Sequence, residues 1–187
     1  MSDADDERED RVYILDYLPG GHAEDRVSDE PIAQGVGVDH FTLLELVPGD
    51  DADIKIGDTV YVGEEDERDA VERVKSRIDY GGLTQGATKE LPYGIEGIIE
   101  ENEDRFVTFF NEAGSVTIRM HQLDLLPGVG EKIRNSILDE RKYEPFESLE
   151  DIEERISGFH DPAGVLKDRI LDEIKDADVK YKIFARD

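Results

Sequence analysis

The stretch Leu123-x-x-Leu126-Pro127-Gly128-Val129-Gly130, followed by a helix-patterned segment, carries the most specific chemistry in this chain. Two leucines three apart bury one side of a short helix, and Pro127 stops it. The two glycines allow a tight turn and a closer backbone approach than a Cβ permits. Such a turn presents N–H groups at the start of the next helix, where the helix dipole favours an anion, a phosphate above all. Lys132 adds positive charge in the first turn of that helix, and Arg134 follows two residues later. Arg141 and Lys142 stand at its far end, where cations cap the last carbonyls. The expected site is therefore Gly128, Val129, Gly130, Lys132 and Arg134, and the expected ligand is the phosphate backbone of RNA or DNA.

Other residues offer weaker chemistry. Arg73, Lys75 and Arg77 alternate in AVERVKSRIDY. As a strand they share one face and form a basic stripe that could extend the nucleic-acid site. As a helix, Val71, Val74 and Ile78 form the buried side and the bases are ordinary surface. Tyr61, Phe106, Phe109 and Phe110 could stack bases, although core packing is the plainer use of them. His22, His40, His121 and His160 are isolated, with no metal-ligand spacing, so surface or capping roles are expected. The carboxylate runs Asp50-Asp51-Asp53 and Glu64–Glu67 could hold divalent ions in a nuclease, but against this composition they read as solvated loops. Gly35-Val36-Gly37 lacks a third glycine and an ensuing helix, so it is not a dinucleotide loop. No catalytic triad, nucleotide-phosphate loop or cofactor motif is present, and a non-enzymatic protein without a cofactor is expected.

The elements that must position these residues sit in a strongly acidic chain. Its 187 residues carry 48 Asp and Glu against 22 Lys and Arg, for a net charge of −26. The excess is spread along the whole sequence, and Arg outnumbers Lys by 13 to 9. That style resembles the proteomes of salt-loving archaea, in which molar salt shortens the Debye length to about 3 Å and mutes self-repulsion. Only local exceptions to the acidity then inform on a partner. There is no cysteine, hence no disulfide, thiolate metal site or cysteine nucleophile. No apolar run reaches the roughly 18–20 residues of a membrane helix, and the N-terminus is acidic. A soluble, cytoplasmic protein with no membrane partner is expected.

Residues 1–10 read as a disordered acidic arm. Strands are expected at Val12–Leu18, over Ile32–Val47 as one long strand or two broken at Gly35/Gly37, and at Ile54–Gly63 as a bent strand or a strand pair. A helix capped by Thr84 is expected over Thr84–Glu101, then a hairpin of Arg105–Phe110 and Ser115–His121. Five strands with a helix before the last two suit a small oligonucleotide-binding-like β-barrel over residues 11–121. After His121 the hydrophobic period changes from 2 to 3.6. Four helices follow, at about 122–126, 130–142, 149–156 and 162–175. Ser148 with Asp151 makes a capping box for the third, and Asp161-Pro162 opens the fourth. The tail VKYKIFARD could return to the barrel as a strand. The expected class is α+β, with a barrel domain at 11–121 and a four-helix domain at 122–187.

The LPGVG turn resembles the helix-hairpin-helix motif of many DNA- and RNA-binding proteins. Residues 149–175 resemble a second, degenerate hairpin, with Phe159-His160 where a second glycine is usual. Arg134 stands where that motif usually has a small residue. Together, VYILDYL, FFNEA (Phe109–Ala113), RMHQLDLLPGVG (Arg119–Gly130) and ERKYEPFESLEDIEERI (Glu140–Ile156) are similar to an archaeal family, domain of unknown function 655, over roughly residues 11–185. The resemblance implies a β-barrel joined to a tandem helix-hairpin-helix domain and a nucleic-acid-binding role. The gene neighbourhoods of such proteins favour RNA and an assembly of the ribosomal or transcription machinery. It implies no activity.

Overall fold

The computed structural model describes residues 8–24 and 29–186. Their contacts divide the chain into two compact units. The first holds the described residues up to Gly94, with Glu173–Asp178 and the chain from Phe184 onward. The second holds Ile95–Asp172 with Val179–Ile183, so the change of period at His121 falls inside it. The class is α+β.

In the first unit, β1 (Arg11–Leu18), β2 (Ile32–Gly37), β3 (Leu43–Pro48), β4 (Thr59–Tyr61) and β5 (Val71–Arg77) form one antiparallel sheet in the order β4-β1-β2-β3-β5. It curls into an open half-barrel whose edge strands β4 and β5 do not pair. Val12, Ile14, Ala33, Leu44, Leu46, Val60 and Val71 fill one face as an apolar cluster. Strands β2 and β3 are buried along their whole length, as expected for strands covered on both sides. The second face of the sheet meets the start of helix α1 (Gln85–Glu101). A Cβ at Gly94 would stand 2.9 Å from the Tyr13 ring, so only glycine lets α1 approach this closely. Thr84 caps α1 as expected: its hydroxyl accepts the Ala87 N–H at 3.0 Å and donates to Asp16 at 2.5 Å. Its own N–H donates to buried Gln34, which donates in turn to Glu45.

Three expectations for this region change. All five strands of the sheet precede α1, whereas the expected order placed that helix before the last two strands. The segment Arg105–Phe110 is not a strand but lies in helix α2 (Glu103–Glu112). Its aromatic and β-branched residues suggest a strand, yet Phe106, Val107 and Phe110 fall on one helical stripe and are buried together, so packing overrides propensity. The acidic arm also ends sooner. Residues 1–7 lie outside the described residues, but Glu9 is only 7% exposed, its carboxylate accepting the N–H groups of Asp39, His40 and Thr42.

Within the second unit, α2 is followed by a short hairpin of β6 (Ser115–Thr117) and β7 (Met120–His121). A single 3-10 turn, Gln122–Leu125, stands where the first short helix was expected. Helices α3 (Glu131–Tyr143), α4 (Leu149–Arg155) and α5 (Pro162–Lys175) match the expected spans to within one residue. Leu123, Leu126, Ile137, Ile152, Ile156, Phe159 and Leu166 are buried. Phe159 packs against Phe110 with ring centroids 5.9 Å apart. The C-terminal tail forms no strand. It rejoins the first unit instead, where the N–H groups of Phe184 and Ala185 donate to buried Glu173.

Candidate nucleic-acid interface

The turn between Leu126 and α3 is fastened from beneath and open above. Leu123 and Leu126 are buried, Val129 tucks in behind them, and the Val129 N–H returns to the Leu126 carbonyl at 3.1 Å. Gly128 has φ +79°, a conformation that strains any residue with a Cβ. Gly130 is different. Its φ of −93° suits any residue, and a Cβ added there meets nothing within 4 Å. The interior of the protein therefore places no demand for glycine at 130. Pro127, Gly128, Gly130, Glu131 and Lys132 are exposed together. Gly130 is the N-cap of α3 and offers no side-chain cap, and no side chain among the described residues is seen to cap the N–H groups of the first turn.

The second turn repeats this backbone. Gly158 has φ +81°, Phe159 is buried, and the Phe159 N–H returns to the Ile156 carbonyl at 3.3 Å. The difference lies at the helix start. Asp161 offers its carboxylate to the Gly164 N–H at 3.1 Å, so α5 already carries an anionic cap. Of the two matching turns, the first alone leaves its helix dipole without a carboxylate cap. His160 is exposed, 3.8 Å from Glu153.

Lys132 is exposed in the first turn of α3 and makes no ion pair among the described residues. Glu131 shares that turn and opposes an anion there. Arg134, expected to contact the ligand, is occupied. Its Nη1 donates to both carboxylate oxygens of Asp124, at 2.9 and 3.0 Å, which braces α3 against the 3-10 turn. Asp124 also accepts the His121 N–H, while His121 Nδ1 accepts the Leu123 N–H. His121 is thus a capping residue. Burial, then the nearby Arg141 guanidinium, push its pKa below the usual 6.5, and Asp124 opposes this only in part.

The residues 71–77 form a strand, but the three bases do not share a face. Bulges at Glu72 and Lys75 break the register with β3. Val71, Val74 and Arg77 consequently lie opposite Pro48, Leu46 and Leu44, on the core side, while Arg73 lies opposite Val47 on the other side. Arg73 pairs with Glu30 at 2.6 Å. Two bulges turn a period of two into a spacing of three, which is why this segment reads as helix or strand alike. Phe106 and Phe110 are fully buried, and Tyr61 accepts the Glu64 N–H through its hydroxyl. Asp50, Asp51, Asp53 and Glu64–Glu67 are exposed, and no three His, Asp or Glu among the described residues converge on a metal-sized site. Gly35 and Gly37 lie in β2, where Val12 and the Glu9 carboxylate occupy the space of their missing Cβ atoms.

A bracing residue that the sequence pattern does not single out in this unit is Arg155. It donates to the Glu140 and Glu144 carbonyls at 2.9 and 2.7 Å, to Asp151 at 3.1 Å, and lies 4.5 Å over the Phe146 ring. It closes the C-terminus of α3, the place expected for Arg141 and Lys142. Arg141 instead donates to the Phe110 carbonyl.

Comparison with known proteins fits this architecture. The family described as "Protein of unknown function (DUF655)" matches residues 8–186. The chain belongs to this family. It is similar to the "Uncharacterized protein MJ0038" of Methanocaldococcus jannaschii, with 40% identity over 179 residues, 95% of this chain and 80% of that protein. It is also similar to the crystal structure of Af1531 from Archaeoglobus fulgidus, at TM-score 0.87 and 46% identity, covering 95% of this chain and 100% of that one. Both relatives are archaeal. No helix among the described residues is long and apolar enough to cross a membrane.

Proposed function

We propose that this DUF655 protein is a non-catalytic nucleic-acid-binding factor that grips the phosphate backbone, of RNA in preference to DNA, at the Pro127–Lys132 turn. In this reading α3, α4 and α5 with their two matching turns are a tandem helix-hairpin-helix unit, one hairpin binding and the other supporting. The half-barrel serves as an oligonucleotide-binding-like companion. The observation that carries the reading is the contrast at the two helix starts: Asp161 caps α5, whereas α3 begins at exposed Gly130 with no side-chain cap and Lys132 beside it. An uncapped, glycine-fronted helix N-terminus in a chain of charge −26 is a local exception of the kind a phosphate needs. Arg134, held by Asp124, and the divided bases of β5 are left out of the contact. The work such a factor supports is ribosome biogenesis, translation or transcription.

Backbone amides read no bases, so affinity should vary little with sequence. Titrations of single-stranded RNA, duplex RNA and duplex DNA test this at two salt concentrations. Lys132→Ala should weaken binding to all sequences alike and lower the salt slope for duplex DNA by about one unit. Unchanged binding by a folded Gly130→Asp variant would remove the hairpin as the phosphate site and favour a protein-docking role for this unit.

A further inference from the structure

In the first unit, on the core side of the half-barrel, lies a cavity of about 430 Å³, within the range of small-ligand sites. It is bounded by the ends of both unpaired edges, Val62 and Gly63 after β4 and Val74 and Arg77 of β5, with Leu44 of β3 between them. Three arginines, Arg8, Arg68 and Arg77, are among its lining residues, and Arg8 and Arg77 each have other contacts besides. Three arginines in one lining are conspicuous in a chain with 48 acids. Arg in place of Lys favours planar, two-point recognition of phosphate.

Arg68 is oriented by two hydrogen bonds, from Nε and Nη2 to the Gly63 carbonyl. Of the carboxylates on the wall, Glu9 is already engaged by three backbone N–H groups, which offset its charge toward an incoming anion. Thr42 also lines the cavity, while its hydroxyl is buried away from solvent with no hydrogen-bond partner among the described residues. Leu44, Val62 and Val74 supply an apolar wall, and Asp10 and Glu64 supply acceptors.

We infer that this cavity binds a phosphomonoester of mononucleotide size, its phosphate at the arginines, its ring on the apolar wall and its amino or hydroxyl groups toward Asp10 and Glu64. The chemistry is shared by a free nucleoside monophosphate and by the 5′-phosphorylated end of a strand. The site stands independently of the hairpin reading, because it lies wholly within the first unit.

Calorimetric titration of the full chain with AMP, adenosine, and trinucleotides bearing a 5′-phosphate or a 5′-hydroxyl tests it at fixed salt. The phosphorylated ligands should bind at least tenfold more tightly than their unphosphorylated partners. Arg77→Gln and Arg8→Gln should each weaken them about tenfold, with circular dichroism unchanged, whereas Gly130→Asp should leave them unaffected. Tighter binding of AMP identifies a free nucleotide, and tighter binding of the 5′-phosphorylated trinucleotide identifies a strand end. Equal affinity for AMP and adenosine, or equal AMP binding by wild type and both folded arginine variants, would overturn the assignment. Loss of hairpin-dependent binding to long RNA with AMP binding intact would leave this site standing alone.

Discussion

Gly130 separates stability from binding at a single position. Its backbone is already that of an N-cap and has room for a Cβ, so Gly130→Asp reproduces at α3 the cap that Asp161 gives α5. Thermal melts should show stability unchanged or raised by a few tenths of a kcal/mol. Nucleic-acid binding should fall at least tenfold, because a carboxylate would occupy the phosphate position. Glu131→Gln should do the reverse, tightening binding two- to threefold by removing a like charge from that turn. His121 adds a pH response. Its folded pKa lies below the unfolded value of 6.5, so between the two the unfolded chain binds more protons. The stabilisation is whole above pH 6.5 and is lost as pH falls through the folded pKa. Melts from pH 7.5 to 5 should therefore drop more steeply for wild type than for His121→Asn, which keeps a cap acceptor without titrating.

At the scale of elements, the end of α3 depends on a residue from the next helix. Removing Arg155 deprives the Glu140 and Glu144 carbonyls and Asp151 of one shared donor and exposes the Phe146 ring. Urea unfolding of Arg155→Ala should show a loss of about 2–3 kcal/mol, since hydrogen bonds to charged groups contribute roughly 1.5–3 kcal/mol. Arg155→Lys should recover only part of it, because an ammonium cannot span several carbonyls as a guanidinium fork does. The strand β5 shows how element and residue scales interact. A stripe that alternation would place on one face is divided by two bulges, and Arg77, still exposed, comes to line a cavity.

For the molecule as a whole, the charge of −26 is the governing quantity. Carboxylates repel one another in the folded state more than in the expanded one, and added salt screens that repulsion. The melting temperature should rise by several degrees from dilute buffer to molar KCl, and a flat or falling series would argue against adaptation to high salt. The nucleic-acid binding proposed above would in molar salt rest on hydrogen bonds and shape, because counterion release contributes little when bulk ions are abundant.

The helical half was largely legible in the sequence. Pro127, Gly128, Ser148, Asp161 and Pro162 act through their own backbone chemistry, so the starts of α3, α4 and α5 follow from residue type and local spacing. Thr84 likewise marks the start of α1, and the family resemblance rested in part on the segments Arg119–Gly130 and Glu140–Ile156. What only tertiary structure decided depends on distant partners. The helix α2 replaced a strand because Phe106 and Phe110 had a core to enter, and propensity is too weak to resist that burial. The bulged pairing of β5 with β3 and the presence of Arg8, Arg68 and Arg77 around one cavity join residues from separate stretches of the chain. No local period encodes such meetings: they arise when the sheet curls and brings its two edges to the same opening.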